Sequence, residues 1–219
     1  MIAIIDYGAG NLRSVANAVA RAGHRAVVTG NPGDLSDAAA VILPGVGAAA
    51  DTMQNLQRRG FADAIRRVAA DGMPIMAICV GMQVLFEETE EGGRHRCLGI
   101  IPGVVRRLPP GLKVPHMGWN QVSQKTDHPL FDAIPDEAHF YFVHSYYAEP
   151  QDGSLVAGTT DYGITFCSVL VSGNLMATQF HPEKSGENGL RMYENFLKLA
   201  VAAERQGPGE TSEKEVCRP

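Results

Sequence analysis

The chain has 219 residues, which fits one large domain or one domain with a small appendage, because single domains commonly reach ~250 residues. Hydrophobic residues make up 45% of it, enough for a sizeable core, and 19 basic against 24 acidic residues give a formal charge of −5. This balance, without a basic stripe, excludes nucleic acid as a partner, since phosphate neutralisation needs clustered Lys and Arg.

The first 86 residues alternate strand and helix patterns. Short apolar runs predict strands at Ile2–Ile5, Ala26–Thr29, Val41–Leu43 and Ile75–Ile78. Amphipathic spacing predicts helices over Leu12–Val19, over Phe61–Val68 and from Val80 through Phe86, the first two ending near Gly23 and Gly72. This repetition predicts an α/β fold, a flavodoxin-like and mostly parallel sheet with helices on both faces.

From about Gly99 the pattern changes to strands separated by Gly, Pro and Asp. The predicted strands are Ile100–Leu108, Gln121–Val122, His139–Tyr147, Leu155–Thr160, Ile164–Ser172 and Leu175–Gln179. They predict antiparallel additions to the same sheet, or a small second sheet. Gly189–Arg205 is predicted as a closing helix, so residues 1–205 form the predicted domain. Residues 206–219 are too polar to bury much apolar surface and are predicted to be a disordered tail.

The cysteines and the N-terminal residues indicate a reducing compartment. The four cysteines, at 79, 97, 167 and 217, form no CxxC pair and no regular spacing, which argues against a disulfide framework or a zinc site. The segment Met1–Asp6 is too short and too quickly polar for a secretory leader, and no apolar run approaches the ~18 residues of a membrane span. We therefore expect a soluble cytoplasmic protein.

Cys79 follows the fourth predicted strand and precedes a helical pattern that begins with Val80 and Gly81. A strand–turn–helix elbow of this kind presents a nucleophile at the carboxyl edge of a parallel sheet. The helix start favours a thiolate there, and the amide of Val80 points to where an oxyanion would develop. The alternative is a small buried core residue, as most free cysteines are.

His181 and Glu183 flank Pro182 after the apolar run Leu175–Phe180. An imidazole can hold the thiol proton and later protonate a leaving group, and a carboxylate can fix its tautomer. A nucleophile–base–orienter triad of Cys79, His181 and Glu183 is therefore predicted. The alternatives are a surface turn with a solvated Glu183 or a metal-binding pair. No third His or Cys stands at ligand spacing, so no metal is predicted.

Two glycine clusters lie at the ends of predicted strands. The segment DYGAGNLR at 6–13 begins like a dinucleotide fingerprint, but Arg13 replaces the last glycine and no acidic residue ends the second strand, so no cofactor is predicted. The segment PGVG at 44–47 lies on the same predicted edge as Cys79. Its amides can form a second oxyanion arm, and such a tetrapeptide is also common in plain turns.

Together these segments resemble the class I (triad) glutamine amidotransferases, in order, over roughly residues 1–200. The class is indicated by PGVG at 44–47, ICVGMQ at 78–83 and QFHPE at 179–183. Within it, the resemblance is to the glutaminase subunits that serve a synthase of histidine biosynthesis. This closer resemblance depends on DYGAGNLRS at 6–14, HMGWN at 116–120, YFVHSY at 141–146 and KS at 184–185. Ala77 departs from the pattern, since the family usually has Gly there.

The resemblance implies a reaction and a partner. Cys79 would attack the side-chain amide of glutamine, His181 would protonate the departing ammonia, and Glu183 would orient the imidazole. It assigns the oxyanion amides to Gly47 and Val80, and the glutamine pocket to Gln83, His144, Ser145 and Tyr146. Ammonia would pass to a separate synthase (cyclase) chain, the heterodimer partner, to make imidazole glycerol phosphate and an aminoimidazole carboxamide ribonucleotide. The chain has no phosphate loop, so the phosphorylated substrate belongs to that partner.

The partner is expected to cover the carboxyl edge of the sheet, because ammonia must leave there without reaching water. Asn11 and Lys184 belong to that edge by topology. Trp119 is the only tryptophan of the chain and is predicted as an interface anchor, since large aromatics dominate binding hot spots. The alternative for Trp119 is a place in the core.

Three other functions remain open from the sequence. A glutaminase of another pathway would share the triad, but is not expected to carry both the segment at 6–11 and that at 116–119. A stand-alone cysteine hydrolase would be fully active without a partner. A non-catalytic flavodoxin-like module would bind flavin or nucleotide and leave Cys79 inert.

Overall fold

The computed structural model describes residues 1–206. The predicted tail at 206–219 lies outside the described residues except for Gln206, which ends the last helix. Five helices are described: α1 (Leu12–Arg21), α2 (Ala49–Arg58), α3 (Phe61–Ala70), α4 (Val80–Gln83) and α5 (Gly186–Gln206).

Five parallel strands form the centre of the sheet. They are β1 (Ile2–Ile5), β2 (Ala26–Thr29), β3 (Ala40–Leu43), β4 (Ile75–Ile78) and β13 (Leu175–Thr178), in the spatial order β2-β1-β3-β4-β13. Strands β1, β3 and β4 are buried throughout, as their continuous apolar runs predict. The chain moves from β1 to β2 in one direction and from β3 to β4 in the other. Right-handed crossovers therefore put α1 on one face and α2 with α3 on the opposite face.

The remaining strands extend the same sheet, mostly in antiparallel pairs. They are β5 (Glu88–Thr89), β6 (His95–Arg96), β7 (Gly103–Arg107), β8 (His116–Gln124), β9 (Ala138–His144), β10 (Tyr146–Pro150), β11 (Val156–Asp161) and β12 (Thr165–Ser172). From β13 the sheet continues as β12-β10-β7-β5-β6, while β11, β8 and β9 branch off from β12. The predicted fold class is confirmed, with the antiparallel strands joined to the central sheet.

One helix was not predicted, and several predicted elements were wrong in their bounds. Helix α2 was missed, because only Ala49, Met53 and Leu56 of its apolar side chains are buried and the pattern is sparse. The helix predicted through Phe86 ends at Gln83, since the next residues turn to bond the chain at 98–101. The single strand predicted at 139–147 is two strands, β9 and β10, that separate at Ser145 and pair with different neighbours.

Two glycines bring the loop after β3 against the start of α4. A Cβ on Gly81 would collide with the carbonyl oxygen of Leu43, and one on Gly45 would collide with the backbone nitrogen of Gly81. In both cases the obstacle is backbone, which cannot rotate away as a flexible side chain can. The close approach of these two segments therefore requires glycine at both positions.

We expect Gly81→Ala to lower the free energy of unfolding by about 1–3 kcal/mol, the usual cost of overpacking. The matched control is Gly153→Ala, where an added Cβ meets nothing within 4 Å and the change should stay within about 0.5 kcal/mol. Urea unfolding of the two variants beside the parent chain measures this. A Gly81→Ala chain as stable as the parent would mean that the loop and the elbow are not tightly opposed.

Candidate active site

Cys79, Gly47 and His181 meet in a cleft at the carboxyl edge of the parallel strands. Cys79 follows β4, Gly47 lies in the loop after β3, and His181 follows β13. The cleft has a volume of about 180 Å³ and is lined by Val46, Gly47, Cys79, Val80, Gln83, Val143, His144, His181 and Lys184. The topology of a parallel sheet explains this meeting, because the carboxyl ends of its strands share one edge.

Cys79 sits on a strained backbone turn. Its φ of 55° and ψ of −110° lie in a region that residues with a Cβ rarely adopt, at a cost of about 1–3 kcal/mol. The turn is held by a hydrogen bond from Cys79 N–H to the carbonyl of Thr178 at 2.7 Å and by one from Gln83 N–H to the carbonyl of Cys79 at 3.2 Å. Such strain is typical of a nucleophile elbow. Ala77 keeps ordinary strand geometry in β4, so the methyl group there does not disturb the turn.

His181 and Glu183 form a buried pair beside the sulfur. His181 Nδ1 lies 2.8 Å from Glu183 Oε1, and the two side chains are 2% and 1% exposed. The turn that holds them is fixed by a hydrogen bond from Ser185 Oγ to the carbonyl of His181 at 2.6 Å and by one from His181 N–H to the carbonyl of Tyr141 at 3.0 Å.

The pKa of His181 is set by opposing effects. Burial lowers it, but hydrogen bonds with Cys79 and Glu183, and the charges of both groups, outweigh burial and raise the pKa to about 9. The imidazole therefore holds a proton at neutral pH, between a sulfur and a carboxylate. A protonated imidazole beside the sulfur is placed to give its proton to a leaving group.

Two backbone N–H groups at the cleft have no hydrogen-bond acceptor within residues 1–206. Within residues 1–206, neither the N–H of Gly47 nor that of Val80 has a protein acceptor. Both residues line the cleft, and Val80 follows Cys79 directly at the start of α4. Free amides beside a nucleophile are suited to receive the oxygen of a tetrahedral intermediate.

The four residues assigned to a glutamine pocket divide into two groups. Gln83 and His144 line the cleft, whereas Ser145 and Tyr146 are not among the lining residues. Tyr146 contributes its carbonyl oxygen instead, which accepts from Gln83 Nε2 at 2.8 Å and lies 2.9 Å from His144 Nδ1. Ser145 occupies the break between β9 and β10, where its carbonyl accepts from the N–H of Leu108.

A second histidine, His116, supports His144 from behind. His144 Nε2 lies 2.9 Å from His116 Nδ1, and Asn120 Nδ2 lies 3.2 Å from His116 Nε2. The Tyr146 carbonyl can only accept, so His144 carries its proton on Nδ1, and His116 in turn donates from Nδ1. Burial is the main reason that the pKa of His144 falls to about 3 and that of His116 to about 4. A neutral imidazole therefore faces the charged His181.

Sequence reasoning gave no role to His116, Val143 or Gln179. Val143 lines the cleft, and its carbonyl accepts from the thiol of Cys79 at 3.8 Å. Gln179 is fully buried and directs Nε2 toward the same sulfur at 3.8 Å. The available signal for Gln179 was a lone amide at the end of the apolar run Leu175–Phe180, next to the predicted base.

The residues predicted for a partner interface lie near the cleft. Lys184 lines it, with Nζ 5.9 Å from the centre of the Tyr141 ring, and Trp119 packs edge-on against the same ring at 6.1 Å. Trp119 is 56% exposed, so the alternative that it fills the core is wrong. Asn11 precedes α1, which contacts the turn that carries Lys184.

Exposed apolar side chains are concentrated at this edge. Val46, Met117 and Trp119 are three of the five large hydrophobic residues that are exposed in the described part of the chain. Val46 lines the cleft, and Met117 is paired with Val143 across β8 and β9. We call these three residues the apolar rim. Clustered exposed hydrophobics of this kind mark interaction surfaces.

Other parts of residues 1–206 offer no competing centre. A larger open groove of about 900 Å³ contains Cys97, but burial raises the pKa of that thiol to about 11 and keeps it protonated. Burial likewise raises the pKa of Cys167 to about 12. Over the described range, no three His, Cys, Asp or Glu side chains group as metal ligands, and no helix has the length and apolar character to cross a membrane.

The glutamine amidotransferase class-I family model matches residues 3–200 of the chain. The imidazole glycerol phosphate synthase subunit HisH of Dehalococcoides mccartyi (strain CBDB1) is 56% identical over 92% of the chain and 98% of its own length. The protein of the same name from Moorella thermoacetica is 52% identical over 94% and 98%.

Solved structures agree on the fold. The structure of PurLQS from Thermotoga maritima matches with a TM-score of 0.73 at 20% identity, over 90% of this chain and 97% of that one. The glutaminase domain of Trypanosoma brucei CTPS with bound acivicin matches with a TM-score of 0.66 at 15% identity, over 92% and 93%. At these identities the likeness extends to the fold alone.

We expect the pKa of His181, measured by NMR titration of the imidazole, to lie near 9 and to fall in Glu183→Gln, where the carboxylate that favours the imidazolium is removed. Because the folded pKa is raised above the ordinary histidine value of 6.5, this group's stabilisation is fully present below about pH 6.5 and is lost as pH rises through about 9. Thermal melting across that range tests the second point. A His181 midpoint at or below 6.5 would contradict the proposed ion pair.

Proposed function

The chain belongs to the class I glutamine amidotransferase family, and from this premise we propose that it is the glutaminase subunit of an imidazole glycerol phosphate synthase. The observation that carries the proposal is a buried Cys79–His181–Glu183 constellation in a chain that aligns almost end to end with the HisH relatives. The chain hydrolyses glutamine to glutamate and ammonia, and the ammonia is delivered to a synthase (cyclase) partner in histidine biosynthesis.

In the first half-reaction, the Cys79 thiolate attacks the carboxamide carbon of glutamine. The carbonyl oxygen becomes an oxyanion, which accepts hydrogen bonds from the amides of Gly47 and Val80. His181 then gives its proton to the departing ammonia, and a thioester remains on Cys79. The unoccupied amides and the protonated His181 support these roles.

In the second half-reaction, water hydrolyses the thioester. The now neutral His181 takes a proton from the attacking water, and the same two amides receive the second oxyanion. Glutamate leaves and the thiolate–imidazolium pair is restored. Glu183 holds the imidazole by Nδ1 throughout, so that Nε2 is the nitrogen that exchanges protons with the reacting atoms.

The partner is the synthase chain, which uses the ammonia to make imidazole glycerol phosphate and an aminoimidazole carboxamide ribonucleotide. We propose that it docks over the cleft through the apolar rim, together with Asn11 and Lys184. The exposure of Trp119 and Met117 beside the cleft supports this placement. Docking there would cover the cleft that opens onto Cys79 and keep the ammonia from water.

We further propose that residues 1–205 act as one amidotransferase domain in the cytoplasm. The match of the family model to residues 3–200 supports the domain, and the thiol nucleophile supports a reducing compartment. Glutaminases of other pathways remain the main alternative. The PurLQS and CTPS structures are 20% and 15% identical to this chain, against 56% and 52% for the two HisH relatives.

We expect Cys79→Ala to reduce glutamate release from glutamine by at least ~10³-fold, because the nucleophile is lost. Glu183→Gln should reduce it less, since the carboxylate orients a base whose thiolate partner is already a good nucleophile. Cys97→Ala is the matched control and should retain activity. The assay is run with and without the synthase chain, and full activity without the chain would favour a stand-alone hydrolase.

The complex of the Cys79→Ala chain with the synthase chain should still make imidazole glycerol phosphate from concentrated ammonium salt, because the added ammonia replaces the ammonia that Cys79 would release from glutamine.

Labelling of the parent chain by a glutamine chloroketone should fall on Cys79. Labelling of Cys97 or Cys167, with Cys79 unlabelled, would contradict the assignment of Cys79 as the nucleophile.

We expect Trp119→Ala to weaken binding of the synthase chain by about 2 kcal/mol or more, roughly 30-fold in Kd, while the isolated subunit stays folded. The exposure of the side chain predicts an unchanged melting temperature. Val28→Ala, another exposed apolar residue but on strand β2 and outside the apolar rim, is the control. Titration calorimetry measures both, and equal affinity for the two variants would remove Trp119 from the interface.

A further inference from the structure

A chain of hydrogen bonds inside the fold ends at the sulfur of Cys79. It begins at the carbonyl oxygen of Tyr146, which accepts from Gln83 Nε2 at 2.8 Å. Gln83 Nε2 also donates to Gln179 Oε1 at 3.0 Å, and Gln179 Nε2 reaches Cys79 Sγ at 3.8 Å. The two glutamines are 3% and 0% exposed.

The orientation of both amides is fixed by the first contact. A backbone carbonyl can only accept, so Gln83 must turn Nε2 toward Tyr146. The same nitrogen then requires an acceptor in Gln179, which presents Oε1. Gln179 is left with its amino group toward the sulfur, because a flipped amide would set two donors against each other. The direction of the N–H toward Cys79 therefore follows from the fold.

Burial makes this arrangement costly to lose. A buried amide without partners is unfavourable, and the side-chain amide of Gln179 bonds only Gln83 and the sulfur within residues 1–206. An apolar side chain at position 179 would pack as well and would need no hydrogen-bond partner. The choice of a glutamine at the end of a buried strand thus calls for a role at the sulfur.

We propose that Gln179 is a catalytic residue that donates a hydrogen bond to the Cys79 thiolate and favours it over the thiol. The inference rests on the proposed function only in that it assigns Cys79 as the nucleophile. As a thiol, Cys79 donates to the carbonyl of Val143, an acceptor that offers nothing to a thiolate. Once the proton has moved to His181, the sulfur needs donors, and Gln179 supplies one from the side of β13.

The other charged and titratable groups around the sulfur come from three segments. Their positions determine what the titration of Cys79 reports. They are Tyr7 after β1, His144 at the end of β9, and His181, Glu183 and Lys184 after β13. Because Cys79 and His181 are coupled, protons leave the pair in two macroscopic steps, and a donor to the thiolate acts on the lower one.

The proposal predicts that loss of the Gln179 donor slows alkylation of Cys79 to an extent that depends on pH. In Gln179→Met, which keeps length and loses the donor, the lower midpoint for alkylation of Cys79 by iodoacetamide should rise by about one pH unit. One unit corresponds to a tenfold lower ratio of thiolate to thiol. The rate should fall up to about tenfold below the midpoint and little above it, where the sulfur is deprotonated in both chains. In Gln179→Glu, a carboxylate beside the sulfur should raise the midpoint further.

Alkylation is quantified by mass spectrometry at the Cys79 peptide of the full chain, since three other cysteines are present. Asn195→Leu is the matched control. It removes a buried side-chain amide that donates to the carbonyls of Leu130 and Asp132, does not line the cleft, and should leave the midpoint unchanged. A merely structural role for Gln179 would lower the alkylation rate or the melting temperature alike at all pH values.

A second measurement needs no substitution at Gln179. The side-chain amide signals of Gln179 in the parent chain should shift with pH at the same midpoint as alkylation, and this shift should vanish in Cys79→Ala. An unshifted midpoint in folded Gln179→Met, or amide signals that ignore the titration of Cys79, would overturn the proposal. Both readouts are independent of glutamine, so their failure is distinct from a failure to release glutamate.

Discussion

The site depends on three neighbouring parallel strands that end at the same level. In the register of the sheet, Leu43 of β3 pairs with Ala77 of β4, and Ala77 pairs with Ala177 of β13. The chain leaves all three strands within two residues of this line, so the glycine loop, the nucleophile and the base emerge side by side. A slip of one residue would turn every side chain of the slipped strand to the other face and separate these groups. The hydrogen bond from Cys79 N–H to the carbonyl of Thr178 continues the ladder to the nucleophile itself.

Within this frame, the electrostatics of the cleft depend on which groups are kept neutral. His181 is buried together with a carboxylate and a thiol, and their combined effect outweighs the cost of burying its charge. His144 is as deeply buried but faces a carbonyl and a neutral imidazole, so it stays uncharged. Two histidines in one small cleft thus hold opposite protonation states at neutral pH. The difference is due to their hydrogen-bond partners, since both are almost fully buried.

The sequence allowed the parallel core and the strand ends to be predicted, because continuous apolar runs and the residues that follow them are local signals. The four N-terminal strands are confirmed, three with the predicted bounds and β3 one residue longer. The helix bounds were less accurate. Helix α2 buries a narrow stripe, and the short α4 ends where Val84, Leu85 and Phe86 enter the core. The bounds of both helices depend on tertiary packing, which helical periodicity does not report.

Several features of the site could not be read from the sequence, because they join residues far apart in the chain. The contacts of Gln83 with Gln179, and of His116 with His144, join residues 96 and 28 positions apart, and no local pattern encodes them. The strand break at Ser145, which turns the Tyr146 carbonyl toward Gln83, depends on β9 and β10 having different partner strands. Trp119 was undecided for a related reason. From His116 to Val122, more and less buried residues alternate along strand β8, but only its pairing with β9 decides which face is buried.

That alternation also links the cleft to the apolar rim. Across β8 and β9, Trp119 lies opposite Tyr141 and Met117 lies opposite Val143, all on the face turned away from the buried side chains. Tyr141 accepts the N–H of His181 through its carbonyl, and its ring lies under Lys184, while Val143 accepts from the thiol. One short strand therefore contacts the nucleophile and the base through its backbone and presents aromatic surface to the outside through its side chains. A partner bound to that surface would rest on the same strand that supports the reacting groups.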